Sequence, residues 1–148
     1  MKSLFNNTDN NEIIERINSL TPESKAGWGK MNVAQMMSHC SIALQACLGE
    51  IKPKRVFISY LFGKMVKKQV MSPKDFGKNS PTAKEYLIKD VKNFESEKEI
   101  LITYVKKFEA GPDVVTKEQH PFFGKMTIEE WDCLMWKHLD HHMRQFGV

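Results

Sequence analysis

Apolar residues recur along this chain at the three- and four-residue spacing of helices, and no segment alternates convincingly as a half-buried strand would. The pattern is sharpest where Trp131, Leu134, Met135, His138, His142 and Phe146 fall on one helical face. At about 100° per residue, both histidines lie within roughly 20° of Trp131, in the middle of the apolar stripe. Two imidazoles on an inward face are costly to desolvate without partners. Their i, i+4 spacing also lets both rings reach one metal ion, which would give the burial a reason.

Earlier segments repeat the helical signature. Ile13, Ile14, Ile17 and Leu20 follow Thr8 and Asp9, with Glu12 completing a capping-box pattern and Pro22 as the stop. Pro22, Gly27 and Gly29 then mark a break in which Trp28 is the residue to be anchored. Asn32 and Gln35 open a second helix, whose face is Val33, Met36, Met37, Cys40, Ala43, Leu44 and Cys47, with His39 at its edge and Gly49 closing it. After Pro53, a basic stretch with Phe57, Ile58, Leu61, Phe62 and Met65 on one side predicts a short helix across the bundle. Thr82 and Glu85 again suggest a cap, for a helix displaying Val91, Phe94, Leu101, Val105 and Phe108 and ending at Gly111-Pro112. Thr127 and Glu130 cap the last, and Gly147 closes it. Long helices are therefore expected near 10–20, 32–48, 83–109 and 127–145. The fold class is all-α: a four-helix bundle with one accessory helix and a long central crossover, a single domain over 1–148.

Composition narrows the classes. The 148 residues are 41% hydrophobic and 27% charged, enough for a packed core. A net charge of +4 arises partly from the run Lys52–Lys68, whose basic end at Lys64–Lys68 lacks the interleaved aromatics of a base-stacking surface and reads as a solvated face. Neither a nucleic acid nor a membrane partner is expected, since no apolar run approaches the roughly 18 residues of a span. The segment Met1–Asn10 lacks a signal peptide's apolar core, and three cysteines without a CxxC pair fit reduced thiols, so the expected location is cytoplasmic.

A catalytic metal site needs about three protein donors and an open position. His138 and His142 supply two from one helix, and His39, on another inward face, is the best third. Three neutral imidazoles suit Zn, Ni or Fe better than Mg or Ca. The alternative for His39 alone is a hydrogen-bonded core histidine. His141 lies about 80° from Trp131, on the flank, and Asp140 points further away as a solvated carboxylate. His120, beside Pro121, Phe122 and Phe123, either folds over the site mouth or packs its own turn. Trp28 and Phe123 are the natural aromatic walls of a cleft. Cys40 and Cys47 read as small buried hydrophobes rather than nucleophiles.

Four blocks carry a resemblance: Trp28-Gly29-Lys30-Met31-Asn32, Gln35 to Cys40, His120-Pro121-Phe122-Phe123-Gly124, and Lys137 to His142 followed by Gln145-Phe146-Gly147. Together they resemble the DinB-like superfamily of metal-binding four-helix bundles, in a branch without an assigned function. The resemblance implies an up-up-down-down bundle, a divalent metal on His39, His138 and His142, and a homodimer. Relatives with known activity include S-transferases using low-molecular-weight thiols. The expected function is thus metal-dependent activation of water for hydrolysis or of a small thiol for transfer. From another class comes a bundle, with or without metal, that only binds or oligomerises.

Overall fold

A computed structural model describes residues 2–54, 59–80, 82 and 84–148. Among these residues the protein is all-helical, with five α-helices and no strand beyond an isolated bridge between His120 and Gly124. The helices are α1 (Asn7–Ser19), α2 (Val33–Cys47), α3 (Ser59–Val70), α4 (Phe94–Lys107) and α5 (Ile128–Gln145). α2 packs on α4 and α5, and α1 packs on the same two. None of the described helices is long and apolar enough to cross a membrane.

Local chemistry sets most of the boundaries. Asn32 and Gln35 form a reciprocal capping box on α2, and Thr127 with Glu130 forms another on α5. Gly49, at φ +75°, takes the left-handed position that ends α2, and Gly147, at φ +80°, does so after α5. α1 begins earlier than its pattern suggests. The Asn6 side chain accepts from the amides of Thr8 and Asp9, leaving the Asp9 carboxylate to accept from Ser3 N at 2.9 Å. Glu12 meets Lys2 and Arg16 instead of closing a box.

The core lies where four of the helices meet. Ile13 and Ile17 of α1, Met36, Met37 and Leu44 of α2, Leu101 and Val105 of α4, and Leu139 and Met143 of α5 are buried together. Each such side chain contributes about 1.5–3 kcal/mol of burial. Asn10 ties three parts of the chain to this core, donating to Leu4 O at 2.8 Å and Val105 O at 2.9 Å. Asp132 of α5 accepts from Leu4 N at 2.7 Å.

Three expectations are corrected. The helix expected over 83–109 starts only at Phe94, where Asn93 accepts from Ser96 N. Before it stand a single 3₁₀ turn, Lys84–Tyr86, and an open segment in which Val91 is 98% exposed. The backbone there serves other partners: Tyr86 O meets a ring nitrogen of His39, and Asp90 O accepts from Gln35. The apolar side of α3 faces outward, with Leu61, Phe62 and Met65 all exposed. Phe57, Ile58 and the Glu85 side chain lie outside the described residues. Asp140 is no solvated carboxylate, since Arg16 and Arg144 hold it at 2.8 and 2.7 Å.

Candidate metal centre

α2 contributes His39 and α5 contributes His138 and His142, and the helix contact between α2 and α5 brings them together. One ring nitrogen from each lies within 4.8 Å of the other two. His39 Nε2 is 3.0 Å from His138 Nε2, and His142 Nε2 is 3.2 Å from the same atom. His39 and His142 are buried, and His138, more exposed as a residue, has its ring desolvated between them.

Hydrogen bonds at the far side of the His39 and His142 rings define what their near sides offer. His39 Nδ1 lies 2.9 Å from the carbonyl oxygen of Tyr86, which can only accept, so Nδ1 carries the hydrogen. His142 Nδ1 lies 2.7 Å from Gln145 Oε1, and it donates likewise. The Gln145 amide is oriented in turn by donating from Nε2 to Trp28 O at 2.6 Å. Both Nε2 atoms are therefore bare lone pairs aimed at His138. Protonation does not relieve the crowding. Burial, then the neighbouring imidazoles, hold His138 well below the usual histidine range. Burial and His39 bring His142 down to about 3. Burial lowers His39 too, against the opposing effect of the Tyr86 carbonyl.

The donor set fits a divalent ion. Neutral imidazoles with hydrogen-bonded Nδ1–H groups are how metal-binding histidines are normally oriented. Tetrahedral donors at about 2.0–2.1 Å from an ion stand roughly 3.3 Å apart, close to the two shorter separations here.

The other expected residues surround this cluster without joining it. His141 points beside it, its ring 5.2 Å from that of His142, 5.5 Å from Trp28 and 5.9 Å from Phe76. Trp28 thus stands next to the histidines, with Lys78 Nζ 4.6 Å above its indole. His120 packs its own turn: Nδ1 accepts from Phe122 N and Phe123 N, and its ring stacks on Phe123 at 4.4 Å and meets Trp131 at 4.9 Å. Phe123 consequently packs on His120 and Phe122. Cys40 and Cys47 are fully buried and burial pushes both thiols up, as expected of small hydrophobes.

A family model described as a protein of unknown function (DUF1569) matches residues 2–147. The chain belongs to this family. No curated protein and no solved structure matches it. The DUF1569 match includes all three histidines and both residues that orient them.

Those two orienting groups were absent from the candidates drawn from the sequence. Gln145 had a readable signal, standing three residues after His142 on the same helical face. The Tyr86 carbonyl had none, because a backbone oxygen leaves no trace in side-chain patterning. Gly29 belongs with them. Its φ of +84° favours glycine, and a Cβ there would stand 2.6 Å from Gln145 Nε2, so the loop lies directly on the amide that fixes His142.

Proposed function

We propose that this DUF1569 protein is a DinB-like, up-up-down-down four-helix bundle with α3 as accessory helix, forming one domain. In it His39, His138 and His142 hold a divalent ion, Zn, Ni or Fe. One observation carries the reading: two buried Nε2 lone pairs converge on a third ring nitrogen that can supply at most one hydrogen. Without a cation, at least one of them is left without a donor, a cost that coordination removes.

When bound, such an ion supplies Lewis-acid chemistry, lowering the pKa of a water or a small thiol. The residues of the chain do the rest. Tyr86 and Gln145 fix the ring planes of His39 and His142, so the donors need no reorganisation. A set of three protein donors leaves room for water or substrate. Trp28 and His141 pack against each other on the flank beside His142. We assign the protein to metal-dependent hydrolysis or low-molecular-weight thiol transfer. Three buried thiols, Cys40, Cys47 and Cys133, support a cytoplasmic location, and the resemblance supports a homodimer.

A non-catalytic metal-binding role has one observation in its favour. Cavities of about 260 and 160 Å³ are lined by none of the three histidines. Screening metal-loaded protein for ester hydrolysis and thiol transfer separates the two. Turnover that falls on Trp28→Ala with metal content unchanged supports the enzyme. Stoichiometric metal without turnover across both classes supports the binding protein.

A further inference from the structure

We propose that α3 docks the protein on an anionic lipid surface, with Leu61, Phe62 and Met65 entering the headgroup–acyl boundary and Lys64 and Lys68 meeting lipid phosphates. The helix would lie on the membrane, a different matter from spanning it.

Charge is the first ground. Residues 51–74 hold seven of the chain's 22 basic residues and none of its 18 acidic ones. The remaining chain carries 15 basic against 18 acidic residues, so the net positive charge of the protein is the charge of this one segment. Lys52 pairs with Glu118 and Lys67 with Glu130. Lys54, Lys64 and Lys68 enter no ion pair among the described residues, and all three are exposed.

The second ground is the direction of the apolar face. Leu61 is 72% exposed, Met65 65% and Phe62 47%. At 100° per residue these three span about 100° of the helix surface, with Lys68 and Lys64 directly beside Leu61. This exposure is imposed by the way the opposite face is held. A Cβ on Gly63 would stand 2.4 Å from Phe122 O, so the α3 backbone is seated against that loop. Lys67 donates to Lys125 O at 2.8 Å and pairs with Glu130 at 2.5 Å. With that side pinned, Leu61 and Met65 cannot roll inward.

Lipid suits the face better than a protein partner does. A stable protein interface buries about 800 Å² per side with shaped complementarity. Three side chains on a 12-residue helix fall well short of that. A bilayer requires no matching pocket, only apolar side chains that can insert and flanking lysines whose stems reach the headgroups. Each lysine near an anionic surface adds to the attraction, which salt screens.

The test is co-sedimentation with vesicles of phosphatidylcholine alone and with about a third phosphatidylglycerol. The intact chain should bind the anionic vesicles at least about tenfold more tightly than the neutral ones, and lose that preference in high salt. The double variants Lys64→Glu/Lys68→Glu and Leu61→Ser/Met65→Ser should each weaken binding about tenfold or more, with unchanged helical circular dichroism. Equal sedimentation with both vesicle types overturns the proposal. So does binding that survives Leu61→Ser/Met65→Ser, which would reduce it to adsorption of a basic protein. Self-association that is lost in that same variant, without vesicle binding, would assign the face to a second copy of the chain.

Discussion

α5 and α3 are both amphipathic, yet their apolar stripes end in opposite surroundings. On α5, Trp131, Leu134 and Met135 are buried, and His142 among them donates from its outer nitrogen to Gln145. On α3, Leu61, Phe62 and Met65 face outward beside lysines, while Gly63 and Lys67 occupy the seated side. Periodicity therefore locates a stripe without saying what it faces. Two further features decide that: whether small residues or anchored polar groups hold the other side, and whether the local charge is balanced. α5 mixes both signs along its length, whereas α3 and its flanks are basic only.

The comparison is broken most directly by stability. Leu139 lies fully buried on α5, and Leu139→Ala should cost about 2–5 kcal/mol through lost burial and the cavity left behind. Leu61→Ala on α3 should stay within about 0.5 kcal/mol. Urea denaturation of both variants checks the pair, and a comparable loss at Leu61 would mean that α3 buries its stripe.

A smaller effect sharpens the account of α5. Gln145→Ala removes the acceptor of His142 Nδ1–H and frees Trp28 O, so metal affinity should fall about 10–100-fold. Chelator competition measures it. Gln145→Glu keeps an acceptor and should recover part of the loss.

The His120 turn that precedes α5 gives a pH signature. Burial, with the Lys67 charge, brings His120 down to about 3. Above the unfolded value of about 6.5 both states are neutral, and the stability is fully present. Below it the unfolded chain takes a proton that the folded ring refuses, so stability falls as pH drops from about 6.5 toward 3. His120→Gln should flatten that decline by about 1 kcal/mol per pH unit near pH 5, read from urea midpoints across pH. An unchanged slope would mean that the ring is hydrated. Smallest of all, Lys52→Gln removes an exposed pair with Glu118 and should leave the thermal denaturation midpoint essentially unchanged.

These contrasts also explain what the sequence could disclose. The capping boxes at Asn32 and Thr127 were legible because both partners are side chains three residues apart. The convergence of His39, His138 and His142 followed from stripes that place each ring on an inward face or its edge. The helix expected from 83 failed because the Tyr86 and Asp90 carbonyls are spent on α2 side chains, a tertiary demand that local propensity does not encode. Asp140 was misread for a related reason, since Arg16 reaches it from across 124 positions of chain. The outward turn of α3 depends on a backbone contact at Gly63, where there is no side chain to read.

The central claim is that three converging imidazoles are a metal site, and metal content tests it most directly. Tag-free protein, purified without chelator and measured by inductively coupled plasma mass spectrometry, should carry about one divalent ion per chain. His138→Ala or His142→Ala should abolish that stoichiometric binding, while His141→Ala should weaken it less. Protein that stays metal-free after exposure to Zn, Ni and Fe salts would contradict the account. Equal loss in all three variants would contradict its choice of ligands, placing His141 on the ion.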